Sequence, residues 1–203
     1  MPEITWSLLL TFFTLVLAGY LFGSVNSAIL VCKLMGLPDP RESGSKNPGT
    51  TNMLRLGGKT AAIITLFGDM LKGFLPVLIG GFMNLQGFGL GMVGLAAFLG
   101  HLYPVFFNFQ GGKGVATAFG VLLAISWPVG LCALGTWVII AAIFRYSSLA
   151  ALITALLIPL YLELFGNGEA LLPMSAICLV LIVRHQANIK RLLKGNESKI
   201  GQK

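Results

Sequence analysis

Long apolar runs follow one another along this chain and leave little room for a fold outside a bilayer. They lie at about 6–34, 60–82, 88–107, 115–125, 128–144, 149–165 and 171–183. A helix needs about 20 mostly apolar residues to cross a membrane. Only 10% of the residues are charged, against roughly 25% in an ordinary soluble domain. The pattern predicts a single all-α, polytopic integral membrane domain over residues 1–203, with about seven transmembrane helices. The run at 115–125 is short and meets the next at Ser126–Trp127–Pro128, so it reads as a tilted or a re-entrant helix, and counts of five or six spans stay open. The first run starts near the N-terminus. Because Glu3 stands where a signal peptide carries basic residues, and because the run outlasts a signal core, it is expected to remain in the mature protein.

Lys and Arg collect in short loops on the cytoplasmic side of a membrane. Here Lys33, Arg41, Lys46, Arg55 and Lys59 flank the first connection, Lys113 follows the third run and Arg145 the fifth. Arg184, Lys190, Arg191, Lys194, Lys199 and Lys203 follow the seventh. The alternate connections, near 84–86, 126–127 and 166–169, hold neither residue type. With seven spans, an N-out, C-in arrangement puts all these cations on one side and leaves Glu3, Glu163 and Glu169 on the other. The net charge of +7 is thus explained by topology, and no nucleic-acid partner is expected, since that would call for a basic soluble face. Cys32, Cys132 and Cys178 all fall within apolar runs, where a free thiol is a small packing residue. No disulfide, metal or cofactor is expected.

Three polar clusters interrupt the apolar pattern, all on the expected cytoplasmic side. The first is "SGSKNPGTTNMLR", residues 43–55. Pro48–Gly49 makes a turn, and Thr50, Thr51 or Asn52 can cap the helix that follows. Amides at such a turn and at a helix N-terminus suit an anion, with Ser45, Thr51 and Arg55 able to complete the site. The second is "NFQGGKGVATAFG", residues 108–120, where Gly111, Gly112, Lys113 and Gly114 open a helix. Free amides, the helix dipole and an ammonium would converge there on phosphate. It is not a nucleotide P-loop, because Lys113 is followed by glycine instead of Ser or Thr. The third is "VRHQANIKRL", residues 183–192, where a continuing helix would put His185 and Asn188 on one face. Orientation alone accounts for Lys33, Arg41, Lys59 and the C-terminal lysines. It does not account for the Gly, Ser, Thr, Asn and His around Arg55, Lys113 and His185.

Other polar residues sit inside the apolar runs. Asp69 and Lys72, three apart, would be costly unpaired in a membrane and are expected either to pair or to face an internal polar cavity, as structural support in preference to an ion relay. His101, in "GHLYP", reads as a packed, hydrogen-bonded histidine, and "GSVNSA" at 23–28 as a helix-packing segment. A competing reading is a membrane transporter of a phosphorylated metabolite, which could use Asp69 and Lys72. Alternating access favours a midplane site between repeats, whereas here the clusters face one side and no internal repeat is present.

Taken in order, "FGSVNSA", "GSKNPGTTNMLR", "GDMLKG", "GHLYPVFFNFQGGKGVATAFG" and "RHQANIKRL" resemble the bacterial membrane-integral glycerol-3-phosphate acyltransferases that use acyl-phosphate as donor. The resemblance runs from about Leu21 to Leu192. Lys46 stands where relatives often have glycine, Thr50 where they have alanine, and Gln110 where lysine is common. The resemblance implies transfer of a long-chain acyl group to the 1-hydroxyl of sn-glycerol 3-phosphate, giving lysophosphatidic acid and inorganic phosphate in phospholipid biosynthesis. It implies a multi-pass protein of the bacterial inner membrane whose site faces the cytoplasm, whose acyl-phosphate comes from another enzyme, and whose reaction uses no cofactor. The family's phosphate-contacting residues match Ser45, Arg55 and Lys113, and its histidine and asparagine match His185 and Asn188. The expected catalytic set is His185, Asn188, Lys113 and Ser45. The expected phosphate-binding set is Ser45, Thr51, Asn52, Arg55, Gly111, Gly112, Lys113, Gly114 and Thr117. Acyl-CoA-dependent glycerolipid acyltransferases carry a His-x₄-Asp pair, and neither His101 nor His185 has an aspartate five residues on.

Overall fold

Nine α-helices make up most of the computed structural model, which describes residues 6–201 and has no β-strand among them. Glu3 and Lys203, which entered the charge asymmetry, lie outside the described residues. The helices are α1 (Trp6–Gly23), α2 (Ser27–Met35), α3 (Thr50–Phe82), α4 (Gly87–Leu102), α5 (Val115–Ile125), α6 (Trp127–Phe144), α7 (Ser147–Leu164), α8 (Leu171–Arg184) and α9 (Gln186–Leu193).

Among the described residues, five segments are long and apolar enough to cross a membrane: Trp6–Met35, Thr50–Phe82, Gly87–Phe107, Trp127–Phe144 and Ser147–Leu164. A sixth is reached if α8 and α9, bent by 55° across His185, count as one span. The fourth apolar run, 115–125, forms α5, whose 11 residues rise only about 16 Å, roughly half the hydrocarbon thickness. It therefore does not qualify as a span by length.

Polar residues decide where the helices break. The first apolar run is two helices, not one: the Ser24 hydroxyl donates back to Tyr20 O, and Asn26 Oδ1 accepts from Ile29 N at 3.1 Å to cap α2. Short polar side chains offer the backbone such local alternatives to continuing a helix. α3 starts at Thr50, ten residues before its apolar stretch, and is broken at Gly58 (φ 72°, ψ −163°), a conformation open to glycine. Arg55 thus rides on a separate turn ahead of the long span. The third run stops being α-helix at Leu102, close before Pro104, as the restriction on residues preceding proline favours.

Helix α4 is the centre, packed by α1, α3, α5 and α8. More than half of its apolar window is buried, 56%, against 22% for α6. Phe13, Phe82, Leu156, Leu164, Leu172 and Leu179 point outward, which costs nothing in lipid. Because lipid removes the hydrophobic drive between helices, close backbone approach has to hold them together. A Cβ on Gly23 would lie 2.8 Å from Ala97 C, and one on Gly100 2.9 Å from Ser24 N, so α1 and α4 touch backbone to backbone. A Cβ on Gly73 would lie 3.0 Å from Thr117 C, and one on Gly120 2.9 Å from Met70 C, which makes the same kind of seam between α3 and α5. Gly120→Leu is expected to lower stability by about 3 kcal/mol, read as a lower thermal midpoint in detergent. An unchanged midpoint would show that the α3–α5 seam can open at no cost.

Candidate active site

The two seams bring the ends of α4 and α5, the loop before α3, the α6–α7 turn and the α8–α9 bend to one end of the bundle. The first wall is the loop ahead of α3. Asn52, almost fully buried, shapes it: its Nδ2 donates to Pro40 O and Ser43 O, each at 3.0 Å, and its Oδ1 accepts from Ser45 N at 2.9 Å. Asn52 was expected among the phosphate ligands. The structure gives it another task, since both ends of its amide are committed to the loop. Thr51 Oγ1 lies 3.2 Å from Ser147 Oγ at the start of α7, and Arg55 Nη2 donates to Ser198 Oγ at 2.8 Å. Ser45 is exposed at the rim.

The second wall is the turn at 111–114. Its first two amides do not face a ligand, contrary to expectation: Gly111 N donates to Leu102 O at 3.1 Å and Gly112 N to His101 O at 3.3 Å. The reason is packing, because the turn lies flat against the end of α4. A Cβ on Gly111 would lie 2.6 Å from Leu102 O. Arg184 Nη2 donates to Gly112 O at 3.2 Å and clamps the turn from α8. Gly114 caps α5 at φ 83° with no side-chain cap, so the helix's first amides are left without a capping side chain. Thr117, also expected to bind phosphate, is fully buried against Gly73 of α3, because α5 turns that face to its seam.

Lys113 points the other way, toward the third wall. Its Nζ donates to Asn188 Oδ1 at 2.5 Å. The helix does not continue through His185 as the spacing suggested. α8 ends and α9 begins there, and both His185 and Asn188 are buried. His185 Nδ1 lies 2.8 Å from Leu181 O. A carbonyl can only accept, so Nδ1 carries the proton, and a neutral ring keeps its lone pair on Nε2.

A carboxylate that sequence reasoning missed closes this wall. Glu197 Oε1 accepts from Asn188 Nδ2 at 2.5 Å and from the Ser148 hydroxyl at 2.7 Å, while Oε2 accepts from Arg191 Nε at 2.7 Å. Ile200 N then donates to Arg145 O at 2.7 Å, pinning the tail to the α6–α7 turn. One signal was available: Glu197 is the single acidic residue after Glu169, in a segment otherwise rich in Lys and Arg. Ser148 gave none, being one of many hydroxyls near helix starts. Burial pushes the Glu197 carboxyl up, but the bonds from Ser148, Asn188 and Arg191 outweigh it and hold it below its ordinary range.

Lys113 is the electrostatic focus. Burial pushes its ammonium down from 10.5 to about 8; Glu197 opposes this, and Arg191, Arg184 and Arg55 add to it. The ammonium has three donors and spends one on Asn188, so the site has unspent positive charge. Two cavities flank the turn on its Arg184 side. One of about 270 Å³ is lined by Arg41, Lys46, Gly111 and Arg184 among others. The other, of about 410 Å³, lies between Tyr103 and the α8–α9 bend. Arg184 borders both, with its guanidinium 5.6 Å from the Tyr103 ring centre. The arrangement suits a phosphorylated ligand at the Lys113 end of the bundle, beside apolar helix faces fit for a hydrocarbon chain.

Comparison with known proteins agrees with that chemistry. The family model described as glycerol-3-phosphate acyltransferase matches residues 13–195. The glycerol-3-phosphate acyltransferase of Methylococcus capsulatus is 56% identical, with 91% of this chain and 94% of that protein aligned. The enzyme of the same name from Pasteurella multocida is 55% identical, over 91% of this chain and 92% of its own. A crystal structure of an integral membrane glycerol 3-phosphate acyltransferase in its glycerol 3-phosphate form superposes with a TM-score of 0.89 at 41% identity, covering 94% of this chain and 96% of that one.

Proposed function

Because this chain belongs to the glycerol-3-phosphate acyltransferase family, we propose that it acylates the 1-hydroxyl of sn-glycerol 3-phosphate, taking a long-chain acyl group from an acyl-phosphate. The observation that carries the reading is Lys113, a partly dehydrated ammonium joined to Asn188 and surrounded by Arg55, Arg184 and Arg191. In this reaction the hydroxyl oxygen bonds to the acyl carbon, the acyl carbon–oxygen bond to phosphate breaks, and phosphate leaves with the electron pair. Lys113 and Arg55 stabilise the charge on the leaving phosphate, an effect that is usually the largest in such sites. Ser45 at the rim and the amides opening α5 supply further donors, and Thr51 steadies the loop through Ser147. The hydroxyl proton passes to Nε2 of His185 or to a substrate phosphate oxygen, with Asn188 orienting the attacking group. The donor is already activated, so the reading needs no cofactor.

The charge asymmetry supports an inner-membrane protein with this site toward the cytoplasm, where a second enzyme supplies the acyl-phosphate. The acyl chain lies against the apolar helix faces, each buried CH₂ contributing about 0.8 kcal/mol. The transporter reading loses its support, since Asp69 and Lys72 are paired at 2.8 Å and closed off from water. Detergent-purified protein given glycerol 3-phosphate with either acyl-phosphate or acyl-CoA is expected to make lysophosphatidic acid from acyl-phosphate. Product from acyl-CoA alone overturns the donor assignment.

A pH dependence follows from Lys113. As pH rises through about 8 the free enzyme loses the ammonium, so kcat/KM is expected to fall along an alkaline limb near that value. Lys113→Arg should remove the limb, and its persistence in that variant would assign it elsewhere. Stability moves in the other direction. Between about 8 and 10.5 the unfolded chain holds the proton that the folded one has lost, so the native state gains stability as pH rises across that window.

A further inference from the structure

The chain's buried charges lie beneath the Lys113 turn. Lys72 and Asp69 on α3 pair at 2.8 Å, and each side chain is 3% exposed. Lys72 Nζ also donates to Val25 O at 2.9 Å, satisfying a carbonyl freed by the break between α1 and α2. On the other side of Asp69, its Oδ1 lies 3.6 Å from Nδ1 of His101 on α4. That Nδ1 is buried and has no hydrogen-bond partner, so the carboxylate is the polar group that orients the ring.

The ring's far edge supports the turn. A Cβ on Gly112 would collide with His101 Nε2, and it would lie 2.8 Å from Pro48 O. Gly112 is thus held between the His101 ring and the loop of the first wall, while the His101 carbonyl accepts the Gly112 amide. An apolar ring or a leucine would fill the same space, but only a group facing Asp69 has its orientation set by charge. In lipid an ion pair has no water to dissolve into, so that setting is stiff.

We propose that His101 is a positioning residue for the phosphate-binding turn, oriented by the Lys72–Asp69 pair and acting through Gly112 on the placement of Lys113. The inference rests on the phosphate site described under Proposed function. The test compares wild type with His101→Leu and His101→Asn. Asn can present an amide near the position of Nδ1 but has no ring to lie against Gly112. Each protein is purified in detergent and measured for thermal midpoint, for KM and kcat with both phosphorylated substrates, and for the Kd of inorganic phosphate.

The expected result is a KM for at least one phosphorylated substrate, and a phosphate Kd, raised about tenfold in His101→Asn while its melting transition stays cooperative, and raised further in His101→Leu. A loss of thermal midpoint with KM and Kd unchanged overturns the inference and makes His101 a packing residue only. Should His101→Leu fail to fold, His101→Asn alone decides. Should wild type bind phosphate yet not turn over acyl-phosphate, the acyltransfer reading fails, and the Kd ratio still decides the role of His101.

Discussion

Lys113→Met is expected to lose two to three orders of magnitude in kcat/KM. Removing one preorganised donor from a developing anion costs about 2.7–4 kcal/mol in comparable sites. Here the donor is charged and mostly dehydrated, and it holds Asn188 Oδ1 at 2.5 Å. The loss should therefore exceed the effect of removing Lys46, which is exposed and lines only the flanking cavity. Methionine keeps the length and apolar body of the side chain, so the fold should survive. Lys113→Arg, which keeps the charge and changes the geometry, is expected to fall between the two. Steady-state assays on detergent-purified protein with a single acyl-phosphate check this. Lys113→Met within threefold of wild type would remove Lys113 from the phosphate site.

The largest stability effect is expected at Asp69. Asp69→Leu leaves the Lys72 ammonium buried without its counterion, and breaking such a pair from one side costs about 3–5 kcal/mol. The charge-neutral double variant Asp69→Leu/Lys72→Met should recover most of that loss, because replacing both members of a buried pair with apolar groups is close to neutral. A remainder of about 1–3 kcal/mol is expected from Val25 O, whose donor is Lys72 Nζ and which would be left unsatisfied. Thermal unfolding in detergent reads all three proteins. A single variant that melts with wild type would mean that Lys72 finds another partner or water, and a double variant worse than the single would refute the counterion account.

These two residues mark how far local pattern carries. That Asp69 and Lys72 need a partner or a polar cavity was legible from their spacing on a helix and their cost in lipid, and the structure resolves it as a pair. That His101 joins them was not legible, since it comes from α4 packing beside α3. The turn at 111–114 divides the same way. Lys113 stands out in sequence as a cation among glycines at a helix start. The direction of the Gly111 and Gly112 amides is set instead by the end of α4, which accepts both. Thr117 and Asn52 belonged to the expected phosphate-binding set, yet each is turned inward by contacts that spacing does not encode.

The sequence by itself determined the solvent and the chemistry: helices for lipid, cations gathered in the connections between alternate runs, and phosphate-suited clusters among them. Those properties are local, because a bilayer imposes its cost segment by segment and a charge keeps its sign wherever the chain carries it. Tertiary structure decided which groups meet. Lys113 reaches Asn188 across 75 residues and Arg55 reaches Ser198 across 143. Glu197, in a segment that reads as an ordinary basic tail, returns to bind Ser148, Asn188 and Arg191. Such meetings depend on helix seams where glycines let backbones touch, and on side-chain directions that only the packed bundle sets.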